Sequence, residues 1–212
     1  MDSANQLKKY ECHICKKEFP VDKITYDLHG RPECDNCLNE IENTRNRAIF
    51  RNNLYTLPKK FRLLKDTEGA KLKAQKLYKK SLFLFGESDT GKTVLATFIL
   101  KVIWNERKKG MFINYPEFVY KAQTEYDTFS DHLNFIKVYP GCLVLDDFGA
   151  EKLTDFVRQI SYLVINWRES NCLQTVITSN YSLKEINEFI DDRIASRIKR
   201  MCEVIRFTER KI

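Results

Sequence analysis

An eight-residue loop sequence places the tightest constraint on what this chain can fold into. The loop matches the pattern G-x-x-x-x-G-K-[ST] in full and consists of Gly86, Glu87, Ser88, Asp89, Thr90, Gly91, Lys92 and Thr93. It follows the apolar run 81–85, which suits a buried strand, and it leads into a helical pattern. In this context the backbone N–H groups cradle nucleotide phosphates at a helix N-terminus, Lys92 adds positive charge, and the Thr93 hydroxyl binds Mg²⁺. A chance glycine turn does not explain both flanks.

Two adjacent carboxylates supply the acid that such a loop needs. The apolar run Cys142-Leu143-Val144-Leu145 ends in Asp146 and Asp147. Asp146 fits the role of holding the magnesium through water, and Asp147 that of polarising an attacking water. The short reach of Asp147 predicts slow turnover. After the run 174–178, Asn180 is placed to orient that water or to sense the γ-phosphate.

Strand and helix patterns alternate through the rest of the chain. Runs of strand length cover 81–85, 111–114, 142–146, 174–178 and 203–207. Helical patterns cover 93–108, 115–137, 153–169 and 183–200. The alternation predicts an α/β domain with a doubly wound, mainly parallel, five-stranded sheet.

The cysteines form two groups. Cys12, Cys15, Cys34 and Cys37 make two C-x-x-C pairs with eighteen residues between them, the spacing of a tetrahedral structural zinc site. Two disulfides or four unrelated thiols are the alternatives, and the lack of a secretion signal disfavours disulfides. A hairpin before the second pair and a helix after it indicate a treble-clef or ribbon-like module. We expect Cys142, Cys172 and Cys202 to be buried thiols.

Composition and charge limit the domain organisation and the partners that this chain can have. Hydrophobic residues make up 43% of the 212 residues, and the net charge is +7. Residues 45–80 contain twelve basic residues and two acids. Such a stretch is either the solvated face of helices or a surface for an acidic partner or a phosphate backbone. Without an apolar leader or a membrane span we expect a cytoplasmic protein. The predicted domains are a zinc module (1–40), a helical linker (41–55) and a nucleotide-binding domain (56–212).

The chain from about residue 55 resembles the AAA+ ATPases of the DnaC/DnaI helicase-loader and IstB-like group. The resemblance is carried by LPKKFR at 57–62, the Walker A loop, the Walker B sequence LVLDDFGAEK, TSN at 178–180 and DRIASRI at 192–198. It implies a P-loop AAA+ (ASCE-type) fold and an arginine finger at Arg197, with Arg193 beside it. A finger reaches a neighbouring subunit's nucleotide, so the resemblance implies a homo-oligomer. The local alternative is an i,i+4 arginine pair bonded to Asp191 or Asp192. We expect no C-terminal lid domain within these residues.

The resemblance implies a helicase loader of bacterial or phage origin. Its zinc module would bind a hexameric replicative helicase, and its ATPase, using ATP and Mg²⁺ beside the Zn²⁺ of the module, would deliver that helicase to single-stranded DNA. Hydrolysis would be slow and stimulated by DNA or the partner. The alternatives are an IstB-like ATPase assisting a transposase on duplex DNA, a P-loop kinase with a zinc insertion, and a nucleotide-dependent adaptor with negligible hydrolysis.

Single-stranded DNA binding requires positive charge and aromatic side chains for stacking. The candidates lie on either side of the Walker B strand and are Tyr120, Lys121, Tyr126, Lys152 and Arg158. The alternative interpretation is that these are surface residues and core aromatics.

Overall fold

A computed structural model describes residues 9–20, 23–26, 32–37, 40, 57–62, 64, 68–106, 108–124 and 126–208. The chain divides into two compact units, Met1–Asn52 and Asn53–Ile212. The predicted linker 41–55 lies outside the described residues. In the part of the chain that the structure describes, no helix is long and apolar enough to cross a membrane.

The first unit is built from two short antiparallel hairpins. Strand β1 (Lys9–Glu11) pairs with β2 (Glu18–Pro20), and β3 (Ile24–Tyr26) pairs with β4 (Pro32–Cys34). The His13 N–H donates to the Pro32 carbonyl at 2.9 Å and joins the two hairpins. Residues 35–37 are helical directly after β4, so the second cysteine pair lies at a helix start as predicted.

The second unit contains a parallel sheet whose strands alternate with helices, as predicted. Its described strands are β5 (Leu82–Gly86), β6 (Gly110–Asn114), β7 (Cys142–Asp146), β8 (Thr175–Ser179) and β9 (Glu203–Phe207). Their order across the sheet is β6-β7-β8-β5-β9, and every neighbouring pair is parallel. Strand β8 therefore separates the strand of the phosphate loop from the strand that ends in the two acids.

Helices cover the sheet. Its strands are nearly continuous apolar runs, as expected of a sheet that is buried on both faces. The helices are α1 (Lys59–Arg62), α2 (Glu68–Leu77), α3 (Lys92–Asn105), α4 (Tyr115–Thr124), α5 (Tyr126–Val138), α6 (Asp155–Ser170), α7 (Leu183–Phe189) and α8 (Asp192–Met201). Their main apolar core gathers Leu82, Leu84, Leu95, Ile99 and Val144, all fully buried.

Two predicted helices are each divided in the structure, and strand ends move by one residue. The stretch 115–137 forms α4 and α5, while 183–200 forms α7 and α8. Asp191 starts α8 because its side chain accepts hydrogen bonds from the N–H groups of Arg193 and Ile194, which makes it an N-cap. Helical periodicity in the sequence does not show that an N-cap residue divides one continuous apolar pattern into two helices.

A buried arginine ties the sheet to the loop before β7. Arg168 on α6 is fully buried and donates to the carbonyl oxygens of Ile136, Tyr139, Gly141 and Gln174 and to the Thr175 hydroxyl, at 2.7 to 3.3 Å. Burial lowers its pKa to about 10. Its described hydrogen-bond partners are carbonyls and a hydroxyl, so the arginine holds the start of β7 and β8 through backbone acceptors.

The prediction for the isolated cysteines is confirmed at two positions and wrong at the third. Cys142 and Cys202 are buried, and burial raises the pKa of each thiol to about 12. Cys172 is exposed because it lies in the turn after α6, with a left-handed φ of 51°. The apolar residues beside it in the sequence do not enclose a turn position.

Candidate nucleotide site and metal centre

The loop between β5 and α3 has the backbone conformation of a phosphate cradle. Asp89 and Gly91 have left-handed φ values of 60° and 93°, and α3 begins at Lys92. The Thr90 hydroxyl donates to the Glu87 carbonyl at 2.8 Å, a hydrogen bond within the loop that stabilises its conformation. The free N–H groups at the start of α3 therefore face the space enclosed by the loop, where they favour an anion.

Lys92 is folded back over its own loop. Only 5% of it is exposed, and its Nζ donates to the carbonyl oxygens of Gly86 (2.8 Å) and Glu87 (2.7 Å) and to Oδ1 of Asn180 (3.0 Å). Burial lowers the pKa of Lys92, and the charges of Asp147, Asp146 and Asp89 oppose that shift. The last of these contacts places Asn180 directly beside Lys92.

One threonine of β8 positions both Walker B acids. The Thr178 hydroxyl donates to Oδ1 of Asp146 at 2.7 Å and accepts the N–H of Asp147 at 2.9 Å. Asp147 has a left-handed φ of 59°, a conformation uncommon for residues other than glycine. Phe148 follows it and donates its N–H to the Thr178 carbonyl at 2.8 Å, so the turn after β7 is bonded to β8.

Asp146 is buried and close to the threonine of the phosphate loop. Burial raises its pKa from 3.8 to about 6, and hydrogen bonds from Thr178 and Thr93 oppose the rise. A hydroxyl and a carboxylate side by side are oxygen ligands of the kind that Mg²⁺ takes with bound water. The residues present thus fit a magnesium ion held by Thr93 and, directly or through water, by Asp146.

These groups share one open cavity of about 640 Å³. Its lining includes Ser88, Asp89, Gly91, Lys92, Thr93, Asp146, Asp147 and Asn180. Gly86 and Glu87 contribute the carbonyls that hold Lys92, and they line a neighbouring cavity beyond Asn180. The structure therefore gathers the residues of the loop, the Walker B strand and Asn180 at the carboxyl edge of the sheet.

The two arginines of α8 lie against α6 and are not part of that cavity's lining. Arg197 donates to Oδ1 of Asn166 (2.7 Å) and to the Tyr162 hydroxyl (3.0 Å). The guanidinium of Arg193 makes two hydrogen bonds to Asp191, at 2.8 and 3.2 Å. Both guanidinium groups also lie over the Tyr162 ring, less than 5 Å from its centre. Arg193 thus has the local acidic partner considered from the sequence, whereas Arg197 is held by neutral groups.

The five DNA-contact candidates are spread over the three helices α4, α5 and α6 and the loop after β7. Tyr120 on α4 is 64% exposed, and Lys152 is exposed after β7. Lys121 forms an ion pair with Glu117 of its own helix, and Arg158 forms one with Asp155. The side chain of Tyr126 lies outside the described part. The charges of Lys121 and Arg158 are therefore each paired with an acid of the same helix.

The four cysteines of the first unit meet at one point. Their sulfur atoms lie within 4.8 Å of one another, and those of Cys15 and Cys34 are 3.8 Å apart. Ligands about 2.3 Å from a tetrahedral zinc are about 3.8 Å from each other, whereas a disulfide requires about 2.05 Å. Burial raises the pKa of Cys12, but N–H groups of Cys15, Cys34 and Ile14 outweigh it and lower the pKa to about 6. The donor set fits zinc.

Three residues in or beside the site were not assigned from the sequence. Thr178 lies in the TSN sequence, but its role depends on β8 lying next to β7. Glu151 accepts the Gly149 N–H at 3.1 Å, and burial raises its pKa to about 7. Lys60 lines the cavity from α1. Only tertiary placement distinguishes Lys60 from the other lysines of the basic stretch.

No protein-family model matches the chain. Among curated proteins, the replicative helicase loader DnaI of Bacillus subtilis (strain 168) is 34% identical over 110 residues. The aligned region covers 50% of this chain and 35% of DnaI, so the chain spans about a third of that relative.

Solved structures of the same group share the fold. The crystal structure of the DnaC helicase loader aligns with 66% of this chain and 86% of its own, at 26% identity and a TM-score of 0.57. The crystal structure of DnaI aligns with 73% of this chain and 94% of its own, at 22% identity and a TM-score of 0.60. These similarities confirm the predicted fold class. In sequence and in fold, the chain resembles the AAA+ ATPases of the DnaC/DnaI helicase-loader group.

Proposed function

We propose that the second unit binds and hydrolyses ATP with Mg²⁺. The observation that carries this proposal is the meeting of Lys92, Thr93, Asp146, Asp147 and Asn180 in one cavity at the carboxyl edge of a parallel sheet. This is where ligands bind in open α/β sheets. A bound Mg²⁺ would neutralise charge on the phosphates, and Thr93 and Asp146 are the residues that would hold it.

Each polar group of the cavity then has a distinct task. Lys92 exchanges its contacts with the Gly86 and Glu87 carbonyls for the phosphates, because a triphosphate offers it a charged partner. Asp147 orients the attacking water and accepts its proton. Asn180, bonded to Lys92, lies where it can sense the terminal phosphate. Since Asp147 has a shorter side chain than glutamate, we expect slow turnover that DNA or a partner stimulates.

We further propose that the protein loads a hexameric replicative helicase onto single-stranded DNA. The support is the similarity to DnaI and DnaC, whose names describe helicase loaders, together with the four-cysteine module that precedes the ATPase unit. In this proposal the module binds Zn²⁺ and docks on the helicase, and a homo-oligomer forms on the helicase. Arg197 would then act on the nucleotide of a neighbouring subunit, consistent with its place outside the cavity lining of its own subunit.

Single-stranded DNA would contact Tyr120 and Lys152 of the ATPase unit. Both are exposed, and an aromatic ring suits base stacking while a cation attracts phosphates. Lys121, Arg158 and Tyr126 belong to the same proposal.

Complex formation tests this function. The full chain is mixed with the replicative helicase of its host and ATP, and molar mass is measured by size-exclusion chromatography with light scattering. We expect a stoichiometric complex for the wild type and its loss when residues 1–50 are removed. The Lys92→Ala variant should lose tight ATP binding, measured separately by calorimetry, with Lys79→Ala as a matched control away from the cavity. Absence of a helicase complex combined with retention on duplex DNA would contradict the loader function and favour a transposition ATPase.

A further inference from the structure

A short segment at the start of the ATPase unit forms one wall of the nucleotide cavity. We call residues 57–62 and 64 the entry segment; it contains α1. Its Pro58, Lys60, Phe61 and Leu64 line the cavity together with the catalytic groups described above. The cavity is therefore bounded by the phosphate loop and Walker B acids on one side and by this segment on another.

The entry segment is fixed in place by packing. Leu57 is 4% exposed and belongs to the main core. The rings of Phe61 and Phe112 have centres 6.2 Å apart, and Nζ of Lys101 on α3 donates to the Leu64 carbonyl at 3.0 Å. These contacts lie on both sides of Lys60 along the chain, so the backbone of Lys60 is held at the cavity.

Lys60 places a second cation in the lining of the cavity that contains Lys92. Its side chain is exposed toward the cavity, its Nζ lies 4.7 Å from the centre of the Phe61 ring, and its charge lowers the pKa of Asp146. Lys60 and Lys92 together balance the charges of Asp146 and Asp147. A bound MgATP would add negative charge to this cavity, since its phosphates carry more charge than the metal offsets, and Lys60 is a cation of the lining that would attract them.

We propose that Lys60, which lines the cavity with Lys92 and Asp146, is a nucleotide-binding residue that contacts the phosphate chain of bound MgATP. This inference rests on the proposed ATP binding of the second unit. It has a consequence for regulation: the entry segment is the covalent continuation of the chain toward the cysteine module. A contact between Lys60 and the phosphates would therefore link the start of the ATPase unit to the nucleotide state.

Direct binding measurements test the assignment. The dissociation constant of MgATP is determined by calorimetry for the full-length wild type and for the Lys60→Gln, Lys60→Arg and Lys79→Gln variants. A charge-assisted contact at a partly exposed site predicts about tenfold weaker binding for Lys60→Gln, and Lys60→Arg should remain within about threefold of the wild type. Lys79 lies outside the cavity lining, so its variant should bind as the wild type does.

Proteolysis supplies a second readout that does not depend on a substitution. Trypsin cleaves after Lys60, and MgATP should slow this cleavage in the wild type at least severalfold, while cleavage after Lys79 continues unchanged. Mass spectrometry identifies the two cuts. If the wild type binds MgATP but Lys60→Gln binds equally well, or cleavage after Lys60 is unaffected, the inference is wrong and the ATPase proposal stands. If the wild type binds no MgATP, the proposed function fails first.

Discussion

Replacing Asp146 by asparagine should stabilise the nucleotide-free protein near neutral pH. Asp146 is 3% exposed, and burial raises its pKa from 3.8 to about 6. Because the folded protein holds this proton more tightly than the unfolded chain, the benefit of the protonated form is complete below pH 3.8 and is lost as the pH rises through about 6. The pKa difference corresponds to a cost of about 3 kcal/mol for the ionised form.

The expected gain is smaller than this cost. The Thr178 hydroxyl can still donate to the Oδ1 of an asparagine, but the new amide N–H groups need acceptors. We therefore expect Asp146→Asn to raise the free energy of unfolding by about 1–2 kcal/mol at about pH 8. The gain should fall to near zero at pH 5 and become a loss of about 1 kcal/mol at pH 4, because the wild-type carboxyl is then protonated while the unfavourable contacts of the new amide do not depend on pH.

Urea unfolding in magnesium-free buffer measures the effect. Trp104 and Trp167 both lie in the second unit, so their fluorescence reports its unfolding. The exposed Asp131 provides a matched control, and Asp131→Asn should change stability little. Addition of MgATP should stabilise the wild type but not Asp146→Asn. A variant no more stable than the wild type at pH 8, or a gain independent of pH, would refute the reasoning from burial.

Three further substitutions test separate parts of the molecule. Arg168→Met should lower the free energy of unfolding by about 3–5 kcal/mol, because it leaves buried carbonyls unpaired; a loss below about 1 kcal/mol in urea titration would contradict this. Cys34→Ser should release zinc, as measured by metal analysis, and leave MgATP binding intact, with Cys172→Ser as the control; retained zinc would argue against the four-sulfur site. Arg197→Ala should leave ATP bound but lower turnover in the helicase-bound oligomer by about 10³-fold, while Arg200→Ala does not; normal turnover would exclude the finger role.

The contiguous motifs were predictable from the sequence because local geometry determines them. The phosphate loop needs only a strand, left-handed positions such as Gly91 and a helix start, all within a few residues. Each C-x-x-C pair likewise sets its two sulfurs by local spacing, and the prediction that both pairs share one site agrees with their contact in the structure. The alternation of apolar runs gave the parallel sheet, with strand ends correct to within one residue.

The tertiary structure decided which of these pieces meet. The strand order puts β8 between β5 and β7, and this non-local pairing brings Asn180 to Lys92 and Thr178 to Asp146. The buried acceptors around Arg168 and the place of Lys60 in the cavity also depend on contacts between distant segments. Residue spacing along a chain fixes the chemistry that a loop can offer, whereas burial and the packing of strands fix which charges face one another.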